Sequence, residues 1–190
     1  MKFWIFFFFT AILLGCNQRS NQNPHILIVT SFGDIEAELF PKQAPKTVAA
    51  FLSFIDSGYY NNSSFYRVLL QEGFSTDANT GLIQGGIWKT TDAQHPFVGG
   101  IEHEPTTISQ LSHTSGTLSL ARLSPGTGNT EFFICIGDQT QFDEVENNDP
   151  GYAAFGTVVN GMDIVRKIQL QKQQKQEFLD KVIIQKIKRL

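Results

Sequence analysis

The side chains able to do chemistry are few. His95, His103 and His113, with Glu102 and Glu104 nearby, come nearest to a metal-ligand set. Their spacing is irregular and loop-like, so solvated or core histidines are expected. Gly126-Thr127-Gly128 lacks the lysine and following helix of a phosphate-binding loop and reads as a turn between strands. The acidic run from Asp143 to Asp149 lacks calcium-loop spacing and reads as a solvated loop. Cys135 sits mid-strand without a partnering His, the signature of a buried structural thiol rather than a nucleophile. Two Cys and four His argue against a multi-ligand zinc site or a disulfide scaffold. What remains is a compact domain that works through its own side chains. Arg67, in a strand-like run, stays protonated and presents a rigid fork; taken alone, it reads as a surface arginine in an ordinary salt bridge.

The 190 residues fit one globular domain with appendages. A hydrophobic fraction of 41% and a charged fraction of 17% place the chain well outside the disordered regime. The net charge of −3 offers no basic field for nucleic acid. The N-terminus stands apart: Lys2 is followed by an apolar run, Phe3 to Leu14, too short to span a bilayer comfortably. Leu13-Leu14-Gly15-Cys16 resembles the lipobox of bacterial lipoproteins, which implies residues 1–15 as a signal peptide and acyl chains on Cys16. An ordinary secretory signal with a chance Cys is the other reading. Asn17 points to the outer membrane, and Cys135 is left without a disulfide partner. Residues 16–24 are then a lipidated Cys and a flexible polar tether, and 25–190 the folded domain.

The positioning elements follow from periodicity. His25 to Ser31 and Ile35 to Phe40 form a hairpin around Phe32-Gly33-Asp34, with Ile35, Ala37 and Leu39 on its dry face. Pro45 opens a helix on which Val48, Phe51, Leu52 and Ile55 recur at helical spacing, and Gly58 ends it. Strand-like runs follow at Phe65–Leu70, Leu82–Ile87, Gly116–Arg122, Glu131–Gly137 and Tyr152–Val159. A second helix spans Met162 to Ile168, with Ile164, Val165 and Ile168 on one face, and Lys181–Leu190 closes the chain as a strand. Gln169 to Gln176 is a basic, solvated connector that could touch anionic headgroups. Many short strands and two separated helices predict a mainly β protein, a closed barrel with helices over its ends.

Several blocks in order resemble the cyclophilin-type peptidyl-prolyl isomerases: Ala44-Pro45-Lys46-Thr47-Val48, Gly58-Tyr59-Tyr60, Phe65-Tyr66-Arg67-Val68, Ile83-Gln84-Gly85-Gly86, Gly116 to Ala121, Thr130 to Ile134, and Phe155-Gly156-Thr157-Val158. Together with Gly161-Met162 they extend from about Ile26 to Ile168. The resemblance implies an eight-stranded antiparallel barrel capped by two helices. It also implies catalysis of rotation about X-Pro bonds without metal, nucleotide, other cofactor or covalent intermediate. The implied partners are proline-containing polypeptides, with the membrane reached through the lipid anchor; nucleic acid is not among them, and a monomer is expected.

By the same resemblance Arg67 is the catalytic arginine, a donor to the proline nitrogen once rotation has pyramidalised it. Phe133 floors the proline pocket and Leu82 lines it, while Phe132 goes to the core. Gln84 bonds the substrate backbone; Ala121 and Arg122 meet the residues before proline, with Arg122 in place of a frequent Asn. Tyr66, Glu131, Phe142 and Tyr152 complete the substrate-binding set, Tyr66 and Tyr152 each standing where many members carry His. Gln141 replaces a frequent Trp or Phe and weakens one wall. The connection from Arg67 to Gln84 is longer than usual, so the pocket phenylalanine of the family falls on Gly81 by counting, or on Phe74 swinging in from the loop. The alternative function is a weakly active or inactive module that grips proline-containing segments as a chaperone or scaffold.

Overall fold

The computed structural model describes residues 22–73, 79–89, 98–145 and 149–190. Strand β1 (His25–Thr30) alternates half-buried and buried residues and turns tightly into β2 (Gly33–Leu39). The Thr30 hydroxyl ties this turn by donating to the Gly33 carbonyl at 2.6 Å and accepting from the Phe32 N–H at 3.1 Å. Helix α1 (Pro45–Asp56) starts with proline in its first turn, where no intrahelical N–H is lost. No side chain beside it caps the helix. Instead the Glu104 carboxylate, far along the chain, accepts from the Lys46 N–H (3.0 Å), the Thr47 N–H (2.8 Å) and the Thr47 hydroxyl (2.7 Å). A negative charge there also meets the positive end of the helix dipole.

The remaining elements are β3 (Ser63–Gln71), β4 (Thr80–Gly86), the single turn α2 (Thr106–Ser109), β5 (Thr117–Leu120), β6 (Phe132–Ile136), β7 (Ala153–Asn160), α3 (Met162–Gln169), β8 (Gln173–Gln174) and β9 (Glu177–Arg189). The sheet runs β1-β2-β7-β5-β6-β4-β3-β9, and β9 pairs back onto β1, so eight antiparallel strands close a barrel. The two-residue β8 is a ninth strand attached to β9 outside the ring. The expected closed eight-stranded architecture with two principal helices is therefore the one observed.

The barrel interior is an aromatic and aliphatic core. Phe132 makes edge-to-face contacts with Phe51, Tyr60 and Phe65, at centroid distances of 5.4, 5.8 and 5.7 Å. On β6, Phe132, Ile134 and Ile136 belong to this core, whereas Phe133 and Cys135 pack into a separate cluster with Leu82. The strand is thus buried on both faces, and its second face builds the site.

Three readings of the chain change here. The closing strand begins at Glu177 rather than Lys181. The Gln/Lys-rich stretch before it is not a plain solvated connector. Gln169 is buried, and its amide donates to the carbonyls of Thr80 (2.9 Å) and Leu69 (3.3 Å). A neutral amide tolerates burial when its donors are matched to such carbonyls. Likewise Asp143, read as part of a solvated acidic loop, turns inward to His113.

Candidate active site

An open cleft of about 540 Å³ lies against the outer faces of β3, β4 and β6, within the range of small-ligand sites. Arg67, Tyr66, Gln84, Leu82, Ala121, Arg122, Glu131, Phe133, Phe142 and Tyr152 all line it, so ten positions drawn from 87 residues of sequence converge on one surface. Phe74, Cys16 and His95 lie outside the described residues.

A β-bulge aims the arginine. The pairing of β3 with both β4 and β9 shifts register between Phe65 and Arg67. The extra residue is Tyr66, so Tyr66 and Arg67 both reach the cleft although strict alternation would send them to opposite faces. One Arg67 Nη donates to Gln84 Oε1 at 3.1 Å and the other to Gln176 Oε1 at 2.9 Å. Gln176 follows Lys175 in the β8–β9 turn, and both have positive φ (52° and 68°). That geometry usually selects Asn-Gly, so the sequence carries no signal for this hairpin or for its hold on Arg67.

From Arg67 a chain of hydrogen bonds crosses the cleft wall. Gln84 Nε2 donates to the Tyr66 hydroxyl at 2.9 Å, and that hydroxyl donates to Glu131 Oε2 at 2.7 Å. Glu131 Oε1 accepts the N–H groups of Ile87 (2.8 Å) and Trp88 (3.0 Å) and the Thr130 hydroxyl (3.2 Å). Burial pushes the Tyr66 phenol far above its usual value, and the Glu131 carboxylate pushes it further. Tyr66 therefore keeps its proton and acts as a donor. Burial also raises the Glu131 carboxyl, against the pull of the hydrogen bonds it accepts.

The floor is a group of rings standing at steep angles. Phe133 meets Tyr152 at 5.4 Å and Phe142 at 5.7 Å, both edge to face. Behind it His113 is fully buried and stacks on the Phe133 ring at 5.9 Å. His113 Nδ1 bonds Asp143 at 2.5 Å and Nε2 bonds Ser119 at 2.8 Å. Ser119 is itself wholly buried, so this Ser-His-Asp constellation has no access to substrate and serves as scaffolding. Because Asp143 follows Phe142, His113 ties the floor to one wall.

The other expected contacts fall as follows. Arg122 lies over the Tyr152 ring at 4.7 Å and bonds the Gly151 carbonyl through Nε at 2.9 Å. Gln141 is exposed and donates to Gln139 Oε1 at 2.8 Å, so Phe142 and Tyr152 form the wall in its place. Gly81 has φ +131°, and a Cβ there would strike the Leu69 carbonyl, so no ring can stand at that position. Leu69 and Leu82 supply apolar surface nearby. Burial pushes the Cys135 thiol far up and leaves it inert. Trp88, Lys89, Leu123 and Glu177, unremarked in the sequence, extend the rim; Lys89 pairs with Glu177 at 2.7 Å.

The family model described as cyclophilin type peptidyl-prolyl cis-trans isomerase/CLD matches residues 25–189. The chain belongs to that family. The cyclophilin fold and peptidyl-prolyl cis–trans isomerase activity come with it. A peptidyl-prolyl cis-trans isomerase of Acinetobacter baylyi is 34% identical over 162 residues, 83% of this chain and 80% of that protein. Peptidyl-prolyl cis-trans isomerase B of Escherichia coli is 36% identical over 142 residues, 73% of this chain and 80% of its own. Among solved structures, a cyclophilin type isomerase of Cryptosporidium parvum superposes with a TM-score of 0.69 at 26% identity, covering 88% of this chain and 98% of that one. The same enzyme was also crystallised in the presence of the dipeptide Ala-Pro, and that structure superposes at 0.68.

Proposed function

We propose that Arg67 is the catalytic group of this isomerase, acting on X-Pro bonds seated over Phe133. The imide carries a rotation barrier of about 18–20 kcal/mol because resonance must be broken. At the twisted state the proline nitrogen becomes pyramidal and regains a lone pair. A guanidinium N–H aimed at that nitrogen stabilises the twisted form more than either planar form, the condition for catalysis. Phe133, Phe142 and Leu82 offer the apolar seat for the ring. Gln84 spends one amide hydrogen on Tyr66 and has another for a substrate carbonyl. No step needs a metal, a cofactor or a covalent bond.

The observation that carries this reading is the Arg67 fork, held by Gln84 and Gln176 in the cleft that Phe133 floors. The test is a proline-peptide isomerisation assay on the wild type and Arg67→Ala. A fall in kcat of about tenfold or more with peptide binding retained supports it. Equal turnover in the two proteins refutes it, and binding without turnover in either identifies a gripping module instead.

The setting of the enzyme is part of the same proposal: an acylated Cys16, the polar tether to residue 24 and clients among exported or envelope proteins facing the periplasm, as a monomer. The Phe3 to Leu14 run ending in Leu13-Leu14-Gly15-Cys16 supports it. Acyl chains contribute about 0.8 kcal/mol per buried CH₂, enough in combination for stable anchoring. Mass spectrometry of the mature N-terminus should find Cys16 first and acylated; an unmodified or uncleaved terminus refutes it.

A further inference from the structure

Glu131 faces the cleft, yet four internal donors converge on its carboxylate: the Tyr66 hydroxyl, the Ile87 and Trp88 N–H groups and the Thr130 hydroxyl. Only an acceptor-only group satisfies all of them. That fixes the direction of every bond beyond it. Tyr66 must donate to Glu131, so it can only accept from Gln84. Gln84 must then present its nitrogen to Tyr66 and its oxygen to Arg67. The observed order of distances, 2.7, 2.9 and 3.1 Å, is a single file of hydrogen bonds from carboxylate to guanidinium.

We infer that Glu131 is a positioning residue, which sets the orientation of the Gln84 amide through Tyr66 and thereby aims the Arg67 fork. The inference rests on Arg67 as the catalytic group. Reversing the relay turns the amide around. In Glu131→Gln, the carboxamide oxygen keeps the two backbone N–H groups and its NH₂ end faces Tyr66. The phenol then donates to Gln84, whose own NH₂ is forced toward the guanidinium, donor against donor. Arg67 loses a charge-assisted bond of the kind that outweighs neutral ones. The substitution is isosteric and keeps the contacts to Ile87 and Trp88, so the fold is preserved.

The experiment compares wild type, Glu131→Gln, Tyr66→Phe and the double variant in the isomerase assay, with thermal unfolding and ¹⁵N side-chain amide spectra of each. Glu131→Gln is expected to lower kcat about tenfold with KM within about twofold, at an unchanged unfolding midpoint. Tyr66→Phe cuts the relay, so adding Glu131→Gln to it should cost nothing further. The Gln84 side-chain signals should move in Glu131→Gln and hold still when Glu131→Gln is added to Tyr66→Phe. Wild-type kcat in Glu131→Gln, multiplying losses in the double variant, or unmoved Gln84 signals would each overturn the inference. If the signals move but Arg67→Ala still turns over normally, the orienting relay stands and the role of Arg67 is what fails.

Discussion

At the scale of single residues, what matters is which side chains are prevented from reacting. Cys135 and Tyr66 hold their protons because burial disfavours the ions, and Ser119 is sealed under Phe133. His113 has a measurable consequence. Burial depresses its basicity below the ordinary value of 6.5, and the bond to Asp143 only partly restores it. The unfolded chain therefore binds the proton first as pH falls. Stability is full above about 6.5 and is lost as pH drops through the folded value, at up to about 1.4 kcal/mol per pH unit. Glu131, raised from 4.5, acts in the opposite sense from a lower starting pH, its contribution shrinking as pH rises. Urea midpoints between pH 7.5 and 5.5 should fall for the wild type and stay flatter for His113→Gln. Parallel slopes for the two proteins would show that His113 is not the titrating group.

At the scale of elements, the site depends on two irregularities. The bulge at Tyr66 points two neighbours into one cleft, and the β8–β9 hairpin brings Gln176 to Arg67. The end of β4 is equally constrained. Gly86 has φ +149°, and a Cβ there would collide with the Glu131 carboxylate. Gly86→Ala should cost about 1–3 kcal/mol in backbone strain and push Glu131 out of its donors. Denaturant unfolding and the isomerase assay should both register the change, whereas an alanine tolerated in both would mean the strand end relaxes freely. Neither irregularity was legible in the sequence: Gln173 to Gln176 has no Asn or Gly to announce a turn.

At the scale of the whole molecule, β6 separates stability from catalysis along consecutive residues. Phe132 anchors the barrel against Phe51, Tyr60 and Phe65, while Phe133 turns out to the cleft. Phe132→Ala should cost about 3–5 kcal/mol, a large share of the roughly 5–15 kcal/mol that holds a domain folded. A shift in the denaturation midpoint measures it, and a loss near 1 kcal/mol would mean the three remaining rings repack around the gap. Closure matters for the same reason. Because β9 pairs with both β1 and β3, the chain's last strand completes the ring on which every other face depends.

The mainly β class, the two long helices, the core faces of β2 and β6 and the residue types along the cleft could all be read from the order of amino acids. These follow from alternation, helical spacing and ordered family blocks, all short-range or position-by-position signals. Tertiary structure decided what those residues do to one another. The Arg67–Gln176 bond joins positions 109 apart, Tyr66–Glu131 joins positions 65 apart, and the cap on α1 comes from a glutamate 57 residues beyond Thr47. Such bonds leave no periodic trace, because a hydrogen bond depends on where two atoms finish in space and on which of them holds the proton.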